Sequence, residues 1–166
     1  GMALQETLGN LFAGVSIQFD KPYEIGDWIE VQTDKVSFQG RVQEITWRST
    51  ILFGFNEEII TLPNRLIAMS EIANYSSRQN TPYRGTDVYL KPGQSATRIQ
   101  TIFEKSLKDA VGVNQSHPHF VLLRGINERG EWWRLFYPID NFGDQYLIVD
   151  RILKIVKAGL ESENIE

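Results

Sequence analysis

Apolar residues at helical spacing open the chain. Between residues 3 and 19 they recur every three or four positions, which predicts a helix with one apolar face. The residues of this face are Leu4, Leu8, Leu11, Phe12 and Val15. Glu6 is the only charged residue in the stretch, ALQETLGNLFAGVSIQF, and small residues lie between the apolar ones. We therefore expect close packing against a second surface, which is either the helix's own domain or a structure outside this sequence.

Short β-rich runs separated by turns follow in residues 20–76. The alternation of apolar and polar residues predicts a strand that begins near Trp28. It also predicts further strands at 38–45, 47–53, 58–62 and 72–75. Gly40 lies inside one of them, where the missing side chain permits a sharp bend. So many short strands in so few residues predict a small, strongly bent five-stranded β-barrel of the SH3-like or Sm-like kind.

A polar, proline-terminated segment at 77–82 predicts a linker, after which the pattern changes. Residues 83–166 predict a strand at 85–90, a helix that Ser95 would cap, strands at 120–126 and 132–138, and a helix at 143–160. This βαββα order predicts a ferredoxin-like domain that lacks its last strand, so that the fold class of the chain is α+β. Trp132 and Trp133 should face opposite sides of their strand, one toward the core and one outward.

The composition is that of an ordinary globular protein. Of the 166 residues, 42% are hydrophobic and 23% are charged, with a formal net charge of -4. The acidic balance gives no electrostatic support to nonspecific binding of nucleic acid or of an anionic membrane. No run reaches the roughly 18 to 20 apolar residues that cross a bilayer, and no basic leader opens the chain. We therefore expect the fragment itself to be soluble. Since Gly1 cannot start a native translation product, we expect the natural protein to extend upstream.

Candidates for catalysis and metal binding are few. There is no cysteine, and both histidines lie in His117-Pro118-His119, without the third ligand that a catalytic zinc site needs. No nucleophile, base and orienting group can be assembled, and no phosphate-binding glycine loop is present. We therefore predict no enzyme, no metal and no cofactor.

The acidic residues have structural explanations. Asp140 and Asp144 flank the start of the predicted last helix, where backbone amides and the helix dipole favour carboxylates, so a capping role is expected. Glu57 and Glu58 stand beside a turn and are expected to be solvated.

Two functions other than catalysis stay open from the residues alone. Arg41, Arg48 and Arg65 fall in the region of Trp47 and Phe53, a combination that barrels binding single-stranded nucleic acid use. The acidic total and the scattering of these arginines weaken that interpretation, so no nucleic acid is expected as a partner. A soluble barrel that binds a ligand or serves as a scaffold is the other alternative.

Four stretches of the chain resemble the cytoplasmic part of the mechanosensitive channels of small conductance, the MscS family. They are ALQETLGNLFAGV at 3–15, KPYEIGDWIEV at 21–31, GRVQEITWRSTIL at 40–52 and ITLPNRLIAMSEIANYS at 60–76. The family pattern runs G-x-V-x-x-I-x-x-R-x-T, then a hydrophobic strand that ends in Pro-Asn, then I-x-N-x-S. In this sequence it is occupied by Gly40, Val42, Ile45, Arg48, Thr50, Pro63, Asn64, Ile72, Asn74 and Ser76. Beyond residue 76 only the order of elements and the ending NIE resemble the family.

The resemblance implies a part of an ion channel. Channels of this family are homo-heptamers of the plasma, or inner, membrane, and tension opens them so that ions and small osmolytes leave the cell after hypo-osmotic shock. Residues 3–19 would be the amphipathic end of the pore-lining helix, 20–76 the Sm-like β domain and 83–166 the ferredoxin-like domain, all on the cytoplasmic side. Contact with the lipid bilayer would come through helices upstream of this sequence.

The resemblance also implies roles for individual residues. The family commonly has a glycine at the kink of this helix, where the present chain has Glu6, which leaves Gly14 as the expected point of flexibility. Asn10 is expected to reach the loop at Asn64 and Arg65 and so to couple the helix to the barrel.

Overall fold

The computed structural model describes residues 1–76 and 80–165. The chain divides into two compact units, residues 1–80 and residues 81–166, each with its own sheet. The predicted linker at 77–82 falls partly on residues 77–79, which lie outside the described residues.

The first unit begins with the predicted helix, α1, which spans Met2–Asp20 without a break. It ends where Lys21 adopts a left-handed backbone conformation (φ 45°) and its N–H donates to the Ile17 carbonyl at 3.0 Å. Within residues 1–76 and 80–165, no helix combines the length and the apolar character that crossing a bilayer requires.

Five strands follow α1 near the positions that the apolar alternation predicts. They are Trp28–Gln32 (β1), Ser37–Ile45 (β2), Ser49–Phe53 (β3), Ile59–Pro63 (β4) and Glu71–Asn74 (β5). A short helix, Asn64–Ala68 (α2), connects β4 to β5, where the sequence predicts only a turn. We call the sheet together with α2 the β domain.

The sheet is open, so the predicted closed barrel is wrong. The strand order is β4-β3-β2-β1-β5, with antiparallel neighbours, and β4 and β5 are the two edges of the described sheet. Because α2 carries the chain from one edge to the other, the short β5 pairs with β1 and leaves β4 unjoined. The register of β2 shifts between Val42 and Glu44, beyond Gly40, and a sharp bend at Gly40 itself stays a prediction. Gly40 allows β2 to approach β3 closely, since a Cβ at this position would lie 2.7 Å from the Phe53 carbonyl oxygen.

The core of the β domain includes one turn of α1. Ile17 and Tyr23 pack among buried side chains of four strands and α2, which are Ile29, Val31, Val42, Leu52, Leu62 and Ile67. Burying an aliphatic side chain of this size stabilises a fold by about 1.5–3 kcal/mol. Ile17 therefore fixes the C-terminal half of α1 to the sheet.

The second unit has the predicted βαββα order. Its elements are Tyr83–Leu90 (β6), Ala96–Asp109 (α3), Phe120–Asn127 (β7), Gly130–Pro138 (β8) and Gln145–Ser162 (α4). β8 lies between β6 and β7 and is antiparallel to both. The hairpin of β7 and β8 is the one that the sequence predicts.

The neighbouring tryptophans of β8 face opposite sides of this sheet, as the alternation predicts. Trp133 is 2% exposed and meets the Phe103 ring of α3 edge to face at 5.8 Å. Trp132 lies on the other face, where its indole N–H donates to Asp87 Oδ1 at 3.0 Å and its ring stacks with Tyr89.

The helix caps of the second unit differ from the prediction. Asn141 caps the short helical turn before α4, because its side-chain oxygen accepts the Gly143 N–H at 3.0 Å. Asp144 stands at the N-cap position of α4 without a side-chain capping bond, and Asp140 precedes the cap. Ser95 likewise stands at the N-cap position of α3 and its side chain caps nothing.

We expect Asn141→Ala to destabilise the second unit by about 1 kcal/mol, because the substitution leaves a helical N–H without its partner. Ser95→Ala should change the free energy of unfolding by less than about 0.5 kcal/mol, since that side chain makes no capping bond. Thermal unfolding followed by circular dichroism measures both changes. Equal losses in the two variants would contradict this assignment of the caps.

Candidate functional site: the joint between α1 and the β domain

One face of α1 is held against the β domain, and the opposite face is exposed. The held face carries Asn10, Ala13, Gly14 and Ile17, which recur at helical spacing. The exposed apolar residues are Met2, Leu4, Leu8, Leu11, Phe12, Val15 and Phe19. The predicted apolar stripe therefore does not pack on the β domain, whereas smaller and polar residues do. We call the contact of the held face with the β domain the joint.

Gly14 permits a close approach of α1 to the β domain. A Cβ at this position would lie 2.7 Å from Asn64 Nδ2 and 2.8 Å from the Trp47 carbonyl oxygen, and both distances are too short for a methyl group. The helix runs through Gly14 without a break. The glycine thus has a packing role in the joint, and flexibility at Gly14 stays a prediction.

Asn64 is the buried polar centre of the joint. Its side chain is fully buried, and its amide nitrogen donates to the Thr46 carbonyl at 2.9 Å. Its amide oxygen accepts from the Thr50 hydroxyl at 3.1 Å, and its backbone N–H donates to the Arg48 carbonyl at 2.9 Å. One residue therefore ties the β2–β3 turn, β3 and the start of α2 together beside Gly14.

Tyr23 extends this network to the end of α1. Its side chain is 2% exposed, and its hydroxyl lies 3.0 Å from the Thr50 hydroxyl. Since Thr50 donates its proton to Asn64, Tyr23 is the donor to Thr50. Burial raises the pKa of the Tyr23 hydroxyl above its usual value of about 10. The network thus runs from the end of α1 through Thr50 to Asn64.

We expect Tyr23 to make the β domain less stable above about pH 10. Because the pKa is higher in the folded chain than in the unfolded chain, the unfolded chain releases this proton first. The stability is fully present below the unfolded pKa and falls as the pH rises through the folded pKa, by about 1.4 kcal/mol per pH unit at most. Tyr23→Phe should remove this slope and cost about 1 kcal/mol at neutral pH from the lost hydrogen bond. Urea unfolding at several pH values measures both, and an unchanged slope in Tyr23→Phe contradicts the prediction.

Asn10 reaches from α1 to α2. Its side-chain oxygen accepts the Arg65 backbone N–H at 3.0 Å, and its amide nitrogen donates to the Glu6 carbonyl at 3.2 Å. The first N–H groups of a helix have no partner within it, and no side chain at Pro63 caps α2. Asn10 therefore supplies that cap from α1. The structure brings Asn10 to the predicted segment, while its part in coupling stays a prediction, as does a kink at Glu6, which is exposed in the unbroken helix.

Further residues of the motif hold the β domain itself. Val42 is buried in the core, and Ile45 packs against it. Asn74, at the end of β5, donates to the Pro22 carbonyl at 3.1 Å and to Asp27 Oδ2 at 2.8 Å. The chain that leaves α1 is therefore tied to an edge strand.

The arginines considered for nucleic acid fall in two places. Arg48 and Arg65 contribute backbone groups to the joint. Arg41 lies on β2, directly opposite Trp28 on one side and Phe53 on the other. The backbone groups of Arg48 and Arg65 thus lie at the joint, whereas Arg41 lies on the sheet.

The histidines and acidic residues of the sequence analysis form no metal site in the described part of the chain, where no three His, Cys, Asp or Glu side chains could hold an ion. His117 lies in an exposed loop, with its ring nitrogens 3.3 Å from Asn114 Oδ1 and 3.4 Å from Thr81 Oγ1. Glu58 is not simply solvated, because its carboxylate accepts the Asn56 N–H at 2.9 Å.

Sequence reasoning from pattern alone misses Tyr23 and the Trp47 carbonyl. Tyr23 is marked only by its place in KPYEIGDWIEV, one of the stretches that carry the family resemblance. A backbone carbonyl leaves no signal of its own, although the small residue that faces it, Gly14, does.

Known sequences match this chain over the residues that form the joint. The sequence model of a family described as mechanosensitive ion channel, beta-domain, matches residues 6–77. The small-conductance mechanosensitive channel MscMJ of Methanocaldococcus jannaschii is 31% identical, with 99% of this chain and 47% of the relative aligned. The low conductance mechanosensitive channel YnaI of Escherichia coli is 36% identical over 45% of this chain and 21% of that protein. The chain thus spans less than half the length of these relatives.

Solved structures share the fold. The crystal structure of Helicobacter pylori MscS in its closed state matches with a TM-score of 0.75 at 19% identity, over 99% of this chain and 63% of that chain. A cryo-EM structure of Arabidopsis thaliana MSL1 matches with a TM-score of 0.72, also at 19% identity, over 99% of this chain and 60% of that chain. Since the alignment with MscMJ runs through both units and the β-domain match takes in the whole joint, the chain belongs to the MscS family.

Proposed function

We propose that this chain is the cytoplasmic part, from the end of the pore-lining helix onward, of a tension-gated ion channel that releases ions and small osmolytes on hypo-osmotic shock. The observation that carries the proposal is the two-sided α1, with one face fixed by the joint and the other apolar and exposed. MscS family proteins are channels and not enzymes, in agreement with the sequence-based expectation.

The exposed face of α1 supports a place beside the membrane. Leu4 and Phe12 are each 67% exposed, and Phe19 is 83% exposed. A helix with such a face buries it at a lipid interface or against other helices. In the whole protein the partners of this face would be neighbouring subunits, lipid and the helices upstream. The joint would then transmit movement of the pore helix to the β domain.

The assembly follows from the family. MscS family channels are oligomeric, and we propose a homo-heptamer of the plasma, or inner, membrane with this chain on the cytoplasmic side. Opening would be a population shift between a narrow and a wide state under tension, since the open state has the larger area in the membrane.

We also propose that the second unit is a ferredoxin-like domain. The sheet order β6-β8-β7 is that of a ferredoxin-like sheet without its fourth strand, which would add at the free edge of β6. We propose that the five-stranded β domain is related to Sm-like domains, with which its strand number agrees, although its sheet is open.

The test uses the full-length protein. Sequencing the coding region upstream of residue 3 is expected to reveal apolar spans of roughly 20 residues that lead into α1. Patch-clamp recording from cells that lack their own mechanosensitive channels should then show currents that appear only under membrane tension. A native start at Met2, or a full-length protein with no tension-dependent current, would overturn the proposal.

We expect Asn10→Ala to weaken the joint by about 1 kcal/mol, because the Arg65 N–H loses its acceptor. Hydrogen exchange of the Arg65 amide should speed up by about fivefold to tenfold. Thr7→Ala is the matched control, since the Thr7 hydroxyl bonds only to the Ala3 carbonyl of the same helix. Equal exchange rates in both variants would show that Asn10 does not hold α2.

A further inference from the structure

A cleft of about 400 Å³ lies on the β domain, away from the joint. It is lined by Trp28, Arg41, Phe53, Gly54 and Glu57. The pairing register explains the floor of the cleft: Arg41 on β2 lies directly opposite Trp28 on β1 and directly opposite Phe53 on β3. Since the neighbours of these residues along the strands are buried in the core, the three side chains share the outer face of the sheet.

The turn between β3 and β4 forms the wall of the cleft and is held in one shape. The Gly54 N–H donates to the Glu58 carbonyl at 2.9 Å, and the Asn56 N–H donates to the Glu58 carboxylate at 2.9 Å. Glu57 has a left-handed backbone (φ 60°), which is uncommon for a residue with a side chain. The ring of Phe55 stacks on Trp28 at 4.5 Å, so the turn is anchored across the sheet.

The cleft is lined by one positive and one negative side chain, and neither charged group is paired within the described part of the chain. In the described part of the chain, the Arg41 guanidinium and the Glu57 carboxylate have neither a hydrogen bond nor an ion pair. Elsewhere opposite charges do pair, as Lys154 and Asp150 do at 2.7 Å. The rest of the lining is largely aromatic.

We propose that this cleft binds a small zwitterion that carries a carboxylate and an alkylammonium group. The planar guanidinium of Arg41 would take the carboxylate with two parallel hydrogen bonds. The alkylammonium group would lie against the Phe53 ring and near the Glu57 carboxylate, since ring faces attract cations. The volume of the cleft falls within the range of small-molecule sites, and a mostly apolar lining with a few oriented polar groups is typical of them.

The probe is glycine betaine, titrated into the 166-residue chain while amide and indole resonances are followed by NMR. We expect saturable shifts of the Trp28 indole and the Gly54 amide, with a dissociation constant on the order of 1 mM, since the ligand is small and the cleft is open to solvent. Arg41→Gln should weaken binding by about tenfold or more, because a charged hydrogen-bonding partner is lost. The affinity of Arg41→Lys should lie between those of Arg41→Gln and the parent chain, since lysine keeps the positive charge but cannot make two parallel hydrogen bonds to a carboxylate.

The controls separate this site from general charge effects. Lys35→Gln removes an exposed cation from the turn between β1 and β2, outside the cleft, and should leave the affinity unchanged. Choline keeps only the cationic half of the probe and acetate only the anionic half, and each should bind about tenfold more weakly. Unsaturated shifts at about 50 mM betaine, equal affinity in Arg41→Gln and the parent chain, or choline binding as tightly as betaine would overturn the proposal.

Discussion

Asn64→Ala is expected to lower the free energy of unfolding of the β domain by about 2–4 kcal/mol, because it leaves buried hydrogen-bonding groups unpaired. Asn64 is fully buried, and the loss of its amide strands the Thr46 carbonyl and removes the acceptor of Thr50. The substitution also leaves a small void beside Gly14, which adds to the loss.

Native-state hydrogen exchange of amides in β2 and β3 measures this loss separately from the second unit. The matched control is Asn56→Ala, since Asn56 is exposed in the β3–β4 turn and only its backbone N–H is bonded. Asn64→Asp separates the contributions of the two side-chain hydrogen bonds. It keeps the acceptor for the Thr50 hydroxyl but places an oxygen, instead of a donor, against the Thr46 carbonyl. If Asn64→Ala cost no more than Asn56→Ala, the buried network would not hold the joint.

Periodicity in the sequence predicts most elements of the fold. The helix predicted at 3–19 is Met2–Asp20, and the strand predicted at 38–45 is Ser37–Ile45. In the strands the reason is physical: one buried face imposes its period on the residues, and short polar turns separate the runs. In α1 the periodic apolar face is exposed. The inward position of Trp133 follows from the same alternation.

Features decided by partners distant in sequence could not be predicted in this way. Whether β4 joins β5 depends on where the turn after Pro63 leads the chain, and α2 takes it to the far edge of the sheet. The choice of Asn141 over Asp144 as a cap depends on backbone angles that neither residue type fixes. The rotation of α1 about its axis is a further case, because the pattern left open whether its apolar stripe packs on its own domain or on a structure outside this sequence, and the stripe is exposed.

The joint shows why a resemblance adds to a pattern. Nothing in the spacing of Asn10 and Arg65 brings them together, since they lie 55 residues apart. The family resemblance points to this pair, and the structure shows the hydrogen bond. Tyr23 and Thr50 complete the network through contacts between buried hydroxyls, which no local pattern encodes.

Gly14→Ala is expected to destabilise the joint by about 1–3 kcal/mol, as overpacking of a close contact does. Alanine forms helices better than glycine by about 1 kcal/mol, so local propensity alone predicts the opposite sign. The new Cβ would meet Asn64 Nδ2 at 2.7 Å and the Trp47 carbonyl oxygen at 2.8 Å. Neither can move aside easily, since the first is a buried side chain with two hydrogen bonds and the second is backbone.

Gly9→Ala on the same helix is the matched control. Its Cβ would lie 3.2 Å from Arg65 Cδ, which belongs to an exposed and flexible side chain that can move. Gly9→Ala should therefore stabilise α1 by up to about 1 kcal/mol, while Gly14→Ala should speed the exchange of amides around Ile17 and Ile67. Stabilisation by both substitutions would show that α1 does not rest on the β domain at Gly14. Loss in Gly14→Ala with gain in Gly9→Ala locates the close contact at one turn of the helix. In the full-length protein, the same pair of variants would test whether the proposed tension gating depends on that turn.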